Sequence, residues 1–119
     1  MMKIILLFNL LTALVTSLAG VVALFRPQSL IRSIAGSDPA TPAEQFYTRL
    51  YAARSIPFGI VAGLLPYLYK GPAVSILLFL AAAIQVGDIF IGIRVKSPRI
   101  ITGASVATLV HLACSTVLL

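Results

Sequence analysis

The chain has 119 residues, 60% hydrophobic and only 10% charged, and nine Lys+Arg against three Asp+Glu give a formal charge of +6. A soluble domain of this length is nearer half apolar and a quarter charged, and could not hide so much apolar surface from water; lipid is the better solvent. The basic balance does not point to nucleic acid, because the cations stand at the ends of apolar runs with no basic stripe, and no nucleic-acid partner is expected.

A helix needs about 20 apolar residues to cross a bilayer, and four segments reach or approach that: about 3–25, 44–69, 72–95 and 100–119. The first starts at Lys3 and ends at Phe25. A signal peptide would share its basic start, apolar core and small residues Ser17-Leu18-Ala19-Gly20, but the run continues through Val21 to Phe25, so a retained helix is expected. Arg26-Pro27 ends it. Residues 27–35 fit a short interfacial helix with Leu30, Ile31 and Ile34 inward and Arg32 outward, stopped by Gly36. Thr41-Pro42-Ala43-Glu44 reads as a helix start, with Thr41 as N-cap, Pro42 in the first turn and Glu44 closing a capping box.

The second long segment is apolar only in its latter half. Lys70-Gly71-Pro72 and Lys96-Ser97-Pro98-Arg99 form the turns on either side of the third. The expected fold class is all-α, an integral membrane four-helix bundle forming a single domain over 1–119. Arg26, Arg32, Arg94, Lys96 and Arg99 collect on one side, and Lys3 and Lys70 on the other. The positive-inside rule then puts loops 26–43 and 94–99 in the cytoplasm and both termini opposite. In a eukaryote the expected host membrane is the endoplasmic reticulum.

A charge at the centre of a membrane helix costs at least ~2.5 kcal/mol on insertion scales, so intramembrane polar residues need a reason. With a rise of ~1.5 Å per residue, Arg54 lies roughly 15 Å above Glu44, Asp88 roughly 9 Å above Arg94 and His111 roughly 16 Å above Ile100. Tyr47, Tyr51, Arg54 and Phe58 share one face of the second helix. Gln85 and Asp88 are neighbours on the third. Thr108, His111 and Ser115 share a face of the fourth, and Asn9, Thr12, Thr16 and Gly20 form a weakly polar stripe on the first.

Each feature also has a structural reading. Arg54 and Asp88 can be an interhelical ion pair, His111 a packing histidine and the tyrosines interfacial anchors. Gly59 and Gly63 form a small-xxx-small pattern, and the lone Cys114 reads as a small packing residue. Taken together, a carboxylate, a guanidinium, an imidazole and phenols in an apolar shell suit acid–base chemistry on a lipophilic molecule. Asp88, His111 and Arg54 are the candidate catalytic residues, with Tyr47, Tyr51, Gln85, Phe58 and Thr108 as substrate contacts. No metal or cofactor is expected, since the sequence lacks a P-loop, a dinucleotide fingerprint and a metal-ligand cluster.

Phe46-Tyr47-Thr48-Arg49-Leu50-Tyr51-Ala52-Ala53-Arg54, continued by Ser55-Ile56-Pro57-Phe58-Gly59, together with Gly87-Asp88 and His111, resembles a pattern in small four-helix membrane proteins of DoxX-like architecture. One fungal and bacterial branch of these has no assigned function. The resemblance spans about Tyr47 to the C-terminus. The chain is also similar to small membrane proteins of fungal polyketide pathways that hydrolyse or cyclise epoxides. That likeness implies an epoxide hydrolase or cyclase, with isomerisation as a related outcome. The expected partners are a lipophilic substrate and membrane lipid, and homo-oligomerisation is left open. Two rivals stand beside the enzyme: a non-catalytic membrane subunit or assembly factor, with Gly59 and Gly63 on its partner face, and a small-molecule or proton-coupled carrier.

Overall fold

The computed structural model describes residues 1–36 and 40–119. Residues 37–39, within the 26–43 loop expected to be cytoplasmic, lie outside the described residues. The described chain is all-helical, with α1 Met2–Phe25, α2 Pro27–Ala35, α3 Pro42–Leu68, α4 Pro72–Arg94 and α5 Pro98–Val117. Among the described residues, three helices (α1, α4 and α5) are long and apolar enough to cross a membrane. The longest helix, α3, is not one of them, because it carries Glu44, Arg49 and Arg54 and the internal prolines Pro57 and Pro66.

The helix ends follow from local chemistry. The Thr41 hydroxyl accepts a hydrogen bond from the Glu44 N–H at 3.2 Å, and the Glu44 carboxylate accepts one from the Thr41 N–H at 2.6 Å. This reciprocal box satisfies two donors that the first turn would leave unpaired. Gly36 ends α2 in the left-handed conformation, with φ 65°, and its N–H donates to Arg32 O. Two side chains, one from the α4–α5 turn and one from the first turn of α5, cover the last carbonyls of α2. Ser97 Oγ donates to Ile34 O at 3.2 Å, and Arg99 Nη1 donates to Ser33 O at 2.6 Å. Together they fix the short helix across one end of the long ones.

The long helices associate in two antiparallel pairs, α1 with α3 and α4 with α5, and α1 against α5 joins the pairs. Although consecutive in sequence, α3 and α4 touch little. Small residues set the α1–α3 approach: Asn9, Ala13, Ser17 and Gly20 on one side and Ser55, Gly59, Ala62 and Gly63 on the other. A Cβ added at Gly59 would collide with Ser17 Oγ and lie 3.0 Å from Ala13 O; one added at Gly63 would lie 3.0 Å from Ala13 Cβ. The small-xxx-small motif therefore faces α1 of the same chain and does not offer the partner face that the subunit reading assigned to it. In the other pair, Ser75 Oγ approaches Ser115 O at 2.7 Å while Ser115 Oγ donates to Ser75 O at 2.9 Å, which joins α4 to α5.

The apolar core (Leu6, Ala62, Val74, Leu78, Cys114 and Leu118) fills the half of the molecule nearer the two termini. Cys114 is buried there as a packing residue. The other half, under α2, is hollow.

Gly59→Ala is expected to lower stability by about 1–3 kcal/mol, because the new methyl overlaps Ser17 Oγ and crowds the Ala13 carbonyl across the close α1–α3 contact. At Gly87 nothing lies within 4 Å of an added Cβ, so Gly87→Ala is expected to shift stability by less than about 1 kcal/mol. Unfolding of the two variants in detergent micelles checks this, and equal losses would contradict the close α1–α3 approach.

Candidate functional site

The hollow under α2 is a cavity of about 860 Å³. All five helices contribute to it. Thr12 and Thr16 come from α1, Leu30 and Ile34 from α2, and Tyr47, Thr48 and Tyr51 from the first turns of α3. Gln85 and Asp88 come from α4, and Arg99, Thr102 and Gly103 from the start of α5. The wall is mostly apolar with a few polar groups, the usual make-up of a small-molecule site. Because α3 and α4 touch little, the cavity lies in the gap between them, with α1 and α5 behind it.

Asp88 is the only carboxylate on this wall among the described residues. It is half-buried and makes neither a hydrogen bond nor an ion pair among the described residues. Helical spacing explains its company: Gln85, Asp88 and Ile91 follow at three-residue intervals and share a face of α4, and all three line the cavity. Tyr47 and Tyr51, four residues apart, do the same on α3, and Phe46 packs edge-on against Tyr47 with ring centroids 5.6 Å apart.

Of the eight candidate residues, Asp88, Gln85, Tyr47 and Tyr51 meet here, and His111, Arg54, Phe58 and Thr108 do not. Thr108 is buried, and its hydroxyl donates to Ala104 O at 2.8 Å, inside its own helix. Phe58 packs against the apolar core. Arg54 is exposed, and among the described residues no ion pair joins it to Asp88. It sits about 60° round α3 from Tyr51, at the edge of the cavity face. A Cβ on Gly20 would touch Ser55, so Arg54 is level with the last turns of α1, about 8 Å from the helix end. A long side chain at that depth can reach the interface.

His111 is 3% exposed and belongs to the packed half. Its Nδ1 lies 2.8 Å from Asn9 Oδ1, while Asn9 Nδ2 donates to Ala62 O at 2.9 Å. The second contact fixes the first. A backbone carbonyl only accepts, so the amide N–H₂ of Asn9 must face Ala62, and Asn9 Oδ1 is left to accept from His111 Nδ1–H. Ala62 O needs this donor because the residue four positions on is Pro66, which has no N–H to complete the helix bond. Asn9 is itself fully buried. The imidazole therefore joins a network linking α5, α1 and α3, away from the carboxylate.

Sequence reasoning treated Arg99 only as a topology marker. Its spacing with Thr102, Gly103 and Val106 was the available signal, since positions three, four and seven apart share a helix face and all four line the cavity. Among the described residues no three of His, Cys, Asp and Glu gather closely enough to hold a metal ion.

The fold and the site define a small all-helical protein with membrane-length helices and a mostly apolar cavity, with a few polar groups on its wall, between two helix pairs. The chain belongs to the DUF4267 family, a domain of unknown function, whose family model matches residues 13–119. No curated protein and no solved structure matches it.

Asn9→Leu would strand Ala62 O and His111 Nδ1 in an apolar interior. Each stranded polar group costs about 1–3 kcal/mol, so Asn9→Leu is expected to destabilise the protein more than Thr108→Val, which removes only a bond within one helix. Thermal unfolding in detergent compares them. A harmless Asn9→Leu would show that the bridge carries no stability.

Proposed function

We propose that the protein is an integral membrane enzyme in which four helices cross the bilayer as one bundle and the Asp88 cavity performs acid–base chemistry on a lipophilic metabolite, opening an epoxide. The three apolar helices support the membrane setting. The fourth span, α3, has 27 residues, long enough at ~1.5 Å each to cross. Its polar first half turns Tyr47, Thr48 and Tyr51 to the cavity, and its small residues line up against α1. In this arrangement α2 lies along the cytoplasmic surface, near the cations of the α4–α5 turn, as the positive-inside rule favours.

The observation that carries the reading is a carboxylate, with no hydrogen-bond or ion-pair partner among the described residues, on a mostly apolar cavity wall that also holds two phenols. Asp88 takes a proton from water, or from a hydroxyl of the substrate. That oxygen forms a bond to one epoxide carbon as the carbon–oxygen bond of the ring breaks. The released oxygen takes a proton from the Tyr51 phenol, and the proton on Asp88 returns to the phenolate. Water gives a diol, and an internal hydroxyl gives a cyclic ether. Gln85 and Tyr47 orient the substrate. Arg54 and His111, which sequence phase brought to this centre, have no part in these steps. The resemblance to polyketide-pathway epoxide hydrolases and cyclases supports a polyene or polyketide epoxide as substrate, and the endoplasmic reticulum as the membrane in a eukaryote.

The slight contact between α3 and α4 favours a second reading, a carrier that takes the same kind of molecule from the bilayer through that side. Turnover separates the two. The protein in lipid nanodiscs with a polyene epoxide is expected to yield diol or cyclic ether. Asp88→Asn is expected to lower turnover by about 10²–10⁴, while Arg54→Ala leaves it near the wild-type value. Product formation that survives Asp88→Asn would remove the site assignment, and flux into proteoliposomes without product would favour the carrier.

A further inference from the structure

We infer that the cavity takes a lipophilic molecule with an anionic head, the head held by Arg99 under α2 and the neutral, reactive part lying at Asp88. The inference rests on the proposal that this cavity is the functional site, and it adds the class of molecule and its direction of binding.

Among the described residues two charged side chains stand on the cavity wall, and they have opposite signs. They also stand at different depths. A Cβ on Gly92 would meet Ile100 and Ile101, so in the antiparallel α4–α5 pair Asp88 is level with about residue 104. Arg99 is five residues nearer the α2 end, about 8 Å away along the axis. A guanidinium offers five N–H donors in a planar fork. Arg99 uses Nη1 on Ser33 O, and among the described residues it makes no ion pair and no second hydrogen bond. Among the described residues, holding α2 thus occupies one donor of the fork and leaves the others beside the cavity, in the geometry that suits a carboxylate or phosphate.

Asp88 decides the polarity. An anion beside an unpaired carboxylate is repelled, whereas one beside Arg99 is attracted, so the two charges admit one orientation. Arg26, Arg94 and Lys96 stand at the same end as Arg99, and their summed field draws an anionic head to that end. Leu11, Val15, Leu30, Ile34 and Val106 supply an apolar wall for the body of the molecule. At about 860 Å³ the cavity falls within the ~300–1,000 Å³ of small-molecule sites, enough for a single chain or ring system.

The test compares palmitate, hexadecyl phosphate and hexadecanol binding to the full chain in nanodiscs of neutral lipid. Both anions are expected to bind at least about tenfold more tightly than the alcohol. Palmitate ahead of hexadecyl phosphate identifies a carboxylic acid as the head, and the reverse order a phosphate ester. Arg99→Gln is expected to erase the anion preference and leave the alcohol unchanged, while Arg99→Lys retains most of it. Ser97→Ala loosens α2 without altering the cavity's charge and should keep the preference, which separates loss of the cation from loss of the fold. Equal binding of palmitate and hexadecanol, or an anion preference that survives Arg99→Gln, would overturn the inference. Asp88→Asn should leave palmitate binding intact or tighter. A chain that selects palmitate through Arg99 but opens no epoxide would therefore refute the proposed reaction and leave the head-group assignment standing.

Discussion

The arrangement depends on one buried amide. Pro66 removes the N–H that would have closed the α3 helix bond at Ala62, and in an apolar interior the abandoned carbonyl needs another donor. Asn9 provides it from α1 and, with its other atom, accepts from His111 on α5. One side chain thus repairs a helix break and ties the α1–α3 pair to α5. The small residues around it let the backbones come close enough for the short amide to reach, since a Cβ at Gly59 or Gly63 would push α3 off α1. In lipid, where apolar side chains gain little by leaving their solvent, close packing and interhelical hydrogen bonds are the main sources of association.

That tie divides the molecule. Near the termini, Leu6, Val74, Leu78, Cys114 and Leu118 close the helices around a solid core. Toward the α2 end α3 and α4 touch little, and the cavity there is bordered by Tyr47, Tyr51, Gln85 and Asp88 and by the short helix that Arg99 and Ser97 hold in place. Stability and site are therefore built from different polar residues. Asn9, His111, Ser75 and Ser115 are buried and hydrogen-bonded to one another in pairs, while Asp88 has no hydrogen-bond or ion-pair partner among the described residues. A buried polar group that is satisfied serves the fold; one left unpaired in a cavity can still bond to a ligand or exchange a proton.

Local chemistry was legible in the sequence where it is local. The Thr41–Glu44 box, the Gly36 stop and the short helix before it follow from spacing alone. So does the shared face of Gln85 and Asp88, and that of Tyr47 and Tyr51. The neighbour each face meets was not legible. Helical phase put Arg54 beside Tyr51 and gave His111 a depth similar to that of Asp88, but it could not reveal that α3 pairs with α1 or that a proline on α3 would call on Asn9, and through it on His111. Arg99 was overlooked for the opposite reason: a cation in a turn is well explained by membrane topology, and that explanation concealed its place on the cavity wall.

The central claim is that Asp88 is an unpaired carboxylate open to a lipophilic visitor. A hydrophobic carbodiimide, which reaches carboxyl groups from the membrane phase, tests it directly at mildly acidic pH with the labelled residue located by mass spectrometry. The account predicts modification of Asp88, protection by a lipophilic epoxide and no label at that position in Asp88→Asn. An Asp88 that stays unmodified while the exposed Glu44 reacts would show a carboxylate sealed from lipophilic molecules, and the cavity could not then be the site.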